Sequence, residues 1–303
     1  MKSRVLPAIA ALVVLGACSV PDSSTPSSPT SPSYNQNPND EIQNDPNVHV
    51  YRARGQARPG GGGVTPLTWH NGALLNNVAV QAIYWGNSWA STTYQSDKIT
   101  GLATFYGGLN NTSYIKTNTE YTGSGGTQFS GAVSYNGHFV DVSTAPRKAP
   151  QTSAILAEVC KVITNPQPNG YYPVYVDSPR GHAGYCAWHS YGTCNGVPVQ
   201  FGFFFDLTGD GGCDPGSPSS YNHSQGLAAL ANVSGHEISE TVTDPRNGGW
   251  WDASGAENSD KCAWTFSGQP VSVGGQSWKI QGNFSNAAFS SGGGYDNAGC
   301  IDR

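Results

Sequence analysis

Charge is scarce in this chain. Only 12% of its 303 residues are Asp, Glu, Lys or Arg, and the formal net charge is -5. That leaves no basic field to hold nucleic acid. The apolar run Val5 to Val14 is too short to span a bilayer. There is no G-x-S-x-G elbow, no phosphate-binding loop and no dinucleotide fingerprint. A C-x-x-C pair is also missing, which counts against a cysteine-rich zinc site.

What is abundant is glycine and aromatic residues: 39 Gly, 15 Tyr and 8 Trp. This composition predicts short strands, long ordered loops and a polar, uncharged surface. Residues 1–18 read as a lipoprotein signal peptide. Lys2 and Arg4 precede the apolar run, and Leu15-Gly16-Ala17-Cys18 resembles a bacterial lipobox. That resemblance implies cleavage before Cys18 and acylation of its thiol; ordinary secretory cleavage is the competing reading. Both export the chain, and Ser19 after the cysteine fits outer-membrane sorting where a cell has an outer membrane. The expected place is therefore a lipid anchor at the cell surface or outer membrane, or otherwise secretion. Residues 19–63 read as a disordered tether rich in Pro, Ser, Thr, Asn and Gly. The globular domain is expected from Val64 to Arg303, at ~240 residues ample for one core.

After Cys18 six cysteines remain: Cys160, Cys186, Cys194, Cys213, Cys262 and Cys300. An even number in an exported chain predicts three disulfides, with 15 pairings open. Cys186 and Cys194 stand close enough in sequence to close a small loop.

Alternating side chains predict strands through Val78 to Tyr84, Ala132 to Val140, Tyr171 to Asp177 and Val197 to Asp206, the last very apolar and central. Helical spacing predicts helices over Lys98 to Leu109 and Thr152 to Ile163. The class expected is α+β, with a mixed sheet, Gly-rich loops and disulfides.

The stretch Ser224 to Asp244 reads as one helix. Leu227, Ala231, Ile238 and Val242 share one side, and Asp244-Pro245 closes it. His236 and Glu240 stack four residues apart on the other side, with Glu237 at the border. The motif H-E-x-x-E resembles the H-E-x-x-H of zinc metallopeptidases, with Glu240 where the second histidine would stand.

The ordered blocks LTWHNGALLNN, YWGNSW, YYPVYVDS, GYCAWHSY, VQFGFFFD, NVSGHEISETVTDPRNGGWWD and ENSDKC resemble the phosphate-induced protein 1, or exordium-like, family. The likeness runs over most of Leu67 to Cys300. In plants that family is apoplastic and linked to growth, without an assigned catalytic activity, and bacteria carry exported relatives. The resemblance implies an exported member of that fold; the chemistry rests on the residues.

Those residues suggest a zinc site with His236, Glu240 and His189 as ligands and Glu237 as general base. His182 and His223 are weaker third ligands. Asp244, Asp252, Glu257 and Asp260 are further metal-binding or structural carboxylates, and the cluster after Trp251 also suits calcium. The expected activity is hydrolysis of a peptide-like bond in a peptide or cell-wall substrate. Two rivals stand beside it: a non-catalytic wall-associated protein in which the helix motif is structural, and a carbohydrate-binding module that stacks sugars on exposed Trp rings.

Overall fold

The computed structural model describes residue 42 and residues 48–56 and 65–303. The signal peptide, Cys18 and most of the tether lie outside these residues. Six strands form the main sheet: β1 (His49–Arg52), β2 (Asn77–Trp85), β3 (Ala132–Asp141), β4 (Gly170–Pro179), β5 (Tyr185–Cys194) and β6 (Val197–Asp206). Three long helices accompany them: α1 (Lys98–Gly108), α2 (Thr152–Val162) and α3 (Gln225–Thr243). The sheet order is β1-β5-β6-β4-β2-β3.

The sheet is mixed, as expected, but it is not segregated from its helices. β3, β2, β4 and β6 run parallel, while β5 and β1 are antiparallel additions. Parallel neighbours need a crossover, and α1 and α2 supply the crossovers from β2 to β3 and from β3 to β4. The parallel half is therefore wound α/β. α1 packs against α3. α2 covers the other face, where its Leu156 fills the space above Gly192 of β5.

Two elements escape a local reading. The first is β5. The stretch around His189, for which periodicity predicts no strand, is a ten-residue strand joined to β6 by Asn195-Gly196, both at positive φ. That dipeptide is the standard two-residue hairpin turn and was the available signal. The second is β1. It lies in the segment expected to be tether, but it pairs with β5 and buries Tyr51 completely. The domain boundary near Val64 therefore gives way to one that includes residues 48–56. Tyr51 and His49 alternate inward with period two, a pattern too short to stand out beside Arg52 and Arg54.

The cysteines pair as Cys160–Cys194, Cys186–Cys213 and Cys262–Cys300. The small Cys186–Cys194 loop does not form. Both residues lie on β5, where eight residues of extended chain separate them by about 26 Å. Thiol titration of the denatured, unreduced domain should find none of the six free, and two or more free thiols would contradict the pairing. Replacing both Cys262 and Cys300 by Ala should cost about 2–4 kcal/mol of unfolding free energy in a denaturant titration.

α3 is the centre of the molecule. Ser224 caps it by accepting from the Leu227 N–H, and every residue from Gly226 to Thr243 is buried. The expectation of one dry face and one presenting face is replaced by burial all round. Hydrophobic α3 side chains pack on α1 and the sheet, and its polar ones enter a closed polar interior. Gly101 allows the α1 contact, since a Cβ there would stand 2.2 Å from the Leu227 side chain.

Candidate metal centre

α3, β5, β1 and the loop from Asp244 to Cys262 deliver eight titratable side chains to one buried region: His49, His189, His236, Glu237, Glu240, Asp244, Glu257 and Asp260. Register explains part of it. His49 of β1 lies directly opposite His189 of β5, and the two rings stack at 5.2 Å. On the other side of His189 the cross-strand neighbour is Gly202, which presents no side chain towards it.

Two imidazoles converge on one carboxylate oxygen. His49 Nδ1 and His189 Nε2 each lie 2.9 Å from Glu257 Oε2. Glu240 spans the next gap: its Oε2 is 3.5 Å from His189 Nε2, and its Oε1 is 2.9 Å from His236 Nε2. Asp260 Oδ1 is 3.6 Å from His236 Nε2, and its backbone N–H donates to Glu240 Oε1. Three sets of ligand atoms each gather within 4.8 Å: His49, His189 and Glu257; His189, Glu237 and Glu240; and His236, Glu240 and Asp260. These buried groups could hold a metal ion.

The motif residues are thus brought together, with Glu240 as the link. His189 and His236 do not fall within one of the three sets; each reaches a different oxygen of Glu240. Glu237 is wholly buried at the border of the motif face. His236 is held closely. Tyr51 stacks on it at 3.9 Å, and Gln281 Nε2 donates to its Nδ1. The Gln281 amide is itself oriented: Oε1 accepts from the Tyr51 hydroxyl and the Trp264 N–H, and Nε2 also donates to the Ser259 carbonyl. In this arrangement the ring proton of neutral His236 sits on Nε2, facing Glu240. For Nε2 to ligate, that proton must leave and Gln281 must turn its amide.

Several carboxylate oxygens lack a hydrogen-bond partner among the described residues: both of Glu237, Oε2 of Glu240, Oε1 of Glu257 and Oδ2 of Asp244. Buried charge without a partner is costly, and the groups respond. Burial pushes the Glu237 carboxyl well above the ordinary carboxylate range, and the charges of Asp260 and Glu257 add to it. Glu240 moves the same way, first through burial and then through Asp260, Glu257 and Glu237. Burial and Glu257 also raise Asp244. At Glu257 burial is outweighed by His49 and His189, which hold its carboxyl below the usual range. Burial lowers His49, but the charge and hydrogen bond of Glu257 prevail, with help from Asp244 and Asp260, and the ring is pushed up to about 10.

The remaining candidates serve local structure. Asp244 Oδ1 accepts from the Gly248 and Gly249 N–H groups and shapes the turn after α3. Asp252 accepts from Lys261, Ser254 and the Ala256 N–H. Asp252, Glu257 and Asp260 therefore face different partners and do not form a calcium loop among the described residues. His182 is exposed in a turn, and His223 stacks on Trp278 and bonds the Ser277 carbonyl. Trp89, Trp188 and Trp278 are fully buried, and Trp69 is the one Trp among the exposed large hydrophobics of the described residues. His49, Gln281 and Asn247 were missed from sequence. Only the buried-facing alternation of His49 and Tyr51 hinted at the first.

Fold and site define a disulfide-stapled, mixed α/β domain with a buried histidine–carboxylate centre. Scans against protein-family models, curated proteins and solved structures find no match for the chain. No helix among the described residues is long and apolar enough to cross a membrane.

Proposed function

We propose that this is an exported, exordium-like, metal-dependent hydrolase acting on a peptide-like bond. The observation that carries the reading is a set of buried carboxylate oxygens without hydrogen-bond partners among the described residues, of which Glu240 Oε2 lies 3.5 Å from His189 Nε2 and Glu237 gathers with both within 4.8 Å. A divalent cation of the zinc class fits that donor set: imidazole nitrogen and carboxylate oxygen, gathered within 4.8 Å. His189 and Glu240 would hold it from β5 and α3, with His236 as the further ligand once its Nε2 proton has gone. When bound, such an ion supplies a Lewis acid that polarises a carbonyl and acidifies water. Glu237 stands one residue after His236, with both oxygens available, and takes and returns the proton in hydrolysis. Tyr51, Gln281 and Ser259 fix the His236 ring. The closed surroundings exclude water from the carboxylates, so substrate entry requires an opening beside Asp260, the least buried member of the group.

The test is metal content by mass spectrometry on purified protein. Wild type should carry stoichiometric zinc, and Glu240→Gln should lose most of it, because a neutral amide is a poor ligand. Equal metal in both, with only the melting temperature lowered, would favour the structural rival. In that case Glu240 serves to tie α3 to the Asp260 backbone.

A further inference from the structure

We propose that the N-terminal strand itself supplies a metal ligand: His49 Nδ1, His189 Nε2 and the Glu257 carboxylate together hold a divalent cation of the zinc class, and the ion fastens β1 to the sheet. The inference rests on the metal-centre reading above and adds ligands to it. Nothing in the helix motif points to either His49 or Glu257.

Three observations carry it. The first is convergence. A tetrahedral ion with ligands at ~2.0–2.1 Å separates its donor atoms by roughly 3.3–3.4 Å. His49 Nδ1 and His189 Nε2 both lie 2.9 Å from Glu257 Oε2, so a small outward shift admits the ion. The second is tautomer. His49 Nε2 donates to Asn247 Oδ1 at 3.0 Å, so Nδ1 is the nitrogen aimed at Glu257, and an ion that displaced its proton would find that lone pair already oriented. A ligating histidine commonly has its other nitrogen anchored in this way. His236 has the opposite arrangement, since its Nδ1 accepts from Gln281. The third is Glu257 itself: it is wholly buried, and its Oε1 has no hydrogen-bond partner among the described residues. Two histidines and a carboxylate make a known zinc donor set, and Glu240 Oε2, 3.5 Å from His189 Nε2, stands beside it.

The consequence is mechanical as well as chemical. β1 is a four-residue edge strand with pairing on one side. Such a strand opens easily unless something else holds it. A coordinate bond from His49 would add that hold, directly over the site.

The experiment uses metal-stripped wild-type protein and added zinc. Zinc should slow amide hydrogen exchange at residues 49–52. In competition with a chelator, His49→Ala should weaken zinc binding by more than about tenfold, and Asn247→Ala by about 10–100-fold through loss of the orienting bond. If folded His49→Ala binds zinc as tightly as wild type, the inference fails while the metal-centre reading stands. If His49→Ala does not fold, the wild-type exchange measurement decides: protection in β1 that zinc leaves unchanged overturns the inference. Folded wild type that binds no zinc at all overturns both.

Discussion

Glu237→Gln is expected to keep the fold and the metal but lower turnover by about 10²–10⁴-fold, the usual worth of a general base. The structure makes this a clean substitution. Glu237 is fully buried, and neither of its oxygens accepts a hydrogen bond among the described residues. Gln has the same shape and breaks no contact, and it removes a carboxyl that burial penalises. The melting temperature of the metal-free variant should therefore match or exceed that of wild type. Glu240→Gln differs, because Glu240 Oε1 serves both His236 and the Asp260 N–H. Hydrolysis can be followed on a panel of unstructured peptides by mass spectrometry, alongside metal content and melting. Turnover within a few-fold of wild type would remove Glu237 from the chemistry. A fall in melting temperature for both variants, with no change in metal, would make the whole motif structural.

Metal-free protein is expected to lose stability as pH rises from about 5 towards 10, and zinc should reverse the loss. Glu237 and Glu240 hold their protons more tightly folded than unfolded. The folded state therefore binds more protons above the ordinary carboxylate range, and stability falls as pH climbs through that window. His49 acts in the same direction. Its folded value of about 10 lies above the unfolded 6.5, so its contribution is complete below the latter and lost on approach to the former. Glu257, held low, contributes stability above its unfolded value and loses it only in acid, outside this range. An ion in the centre replaces protons as the compensating charge. Zinc at 100 times its dissociation constant should add about 2.7 kcal/mol, and at 1,000 times about 4.1. Thermal melts at a series of pH values, with chelator and with zinc, read both effects. A metal-free stability that rises from pH 5 to 8 would show that the buried carboxylates are compensated in another way.

Much of the architecture was legible locally. β2, β3, β4, β6 and all three long helices follow from side-chain periodicity, because burial on one or two faces imposes period two or 3.6 on the residues themselves. The helix motif was legible for the same reason: four residues bring His236 and Glu240 to one side, and Nε2 lies 2.9 Å from Oε1. β5 was obscured because strand residues of mixed character were interrupted by Cys186, His189 and Gly192, although Asn195-Gly196 marked its end.

The sequence alone determined that six cysteines would pair, that Ser224 to Asp244 would be helical, and that a histidine and two glutamates would share its last turns. These are consequences of composition and short-range spacing, which a chain carries wherever its elements go. Which cysteines meet, and that His49, His189 and Glu257 meet at all, was decided only by tertiary structure. His49 faces His189 because β1 adds to the free edge of β5, and Glu257 reaches both because the loop after α3 folds back over that edge. Contacts between residues 68 or more positions apart depend on strand order and register. Those are set by the packing of whole faces, for which no local pattern in the sequence stands.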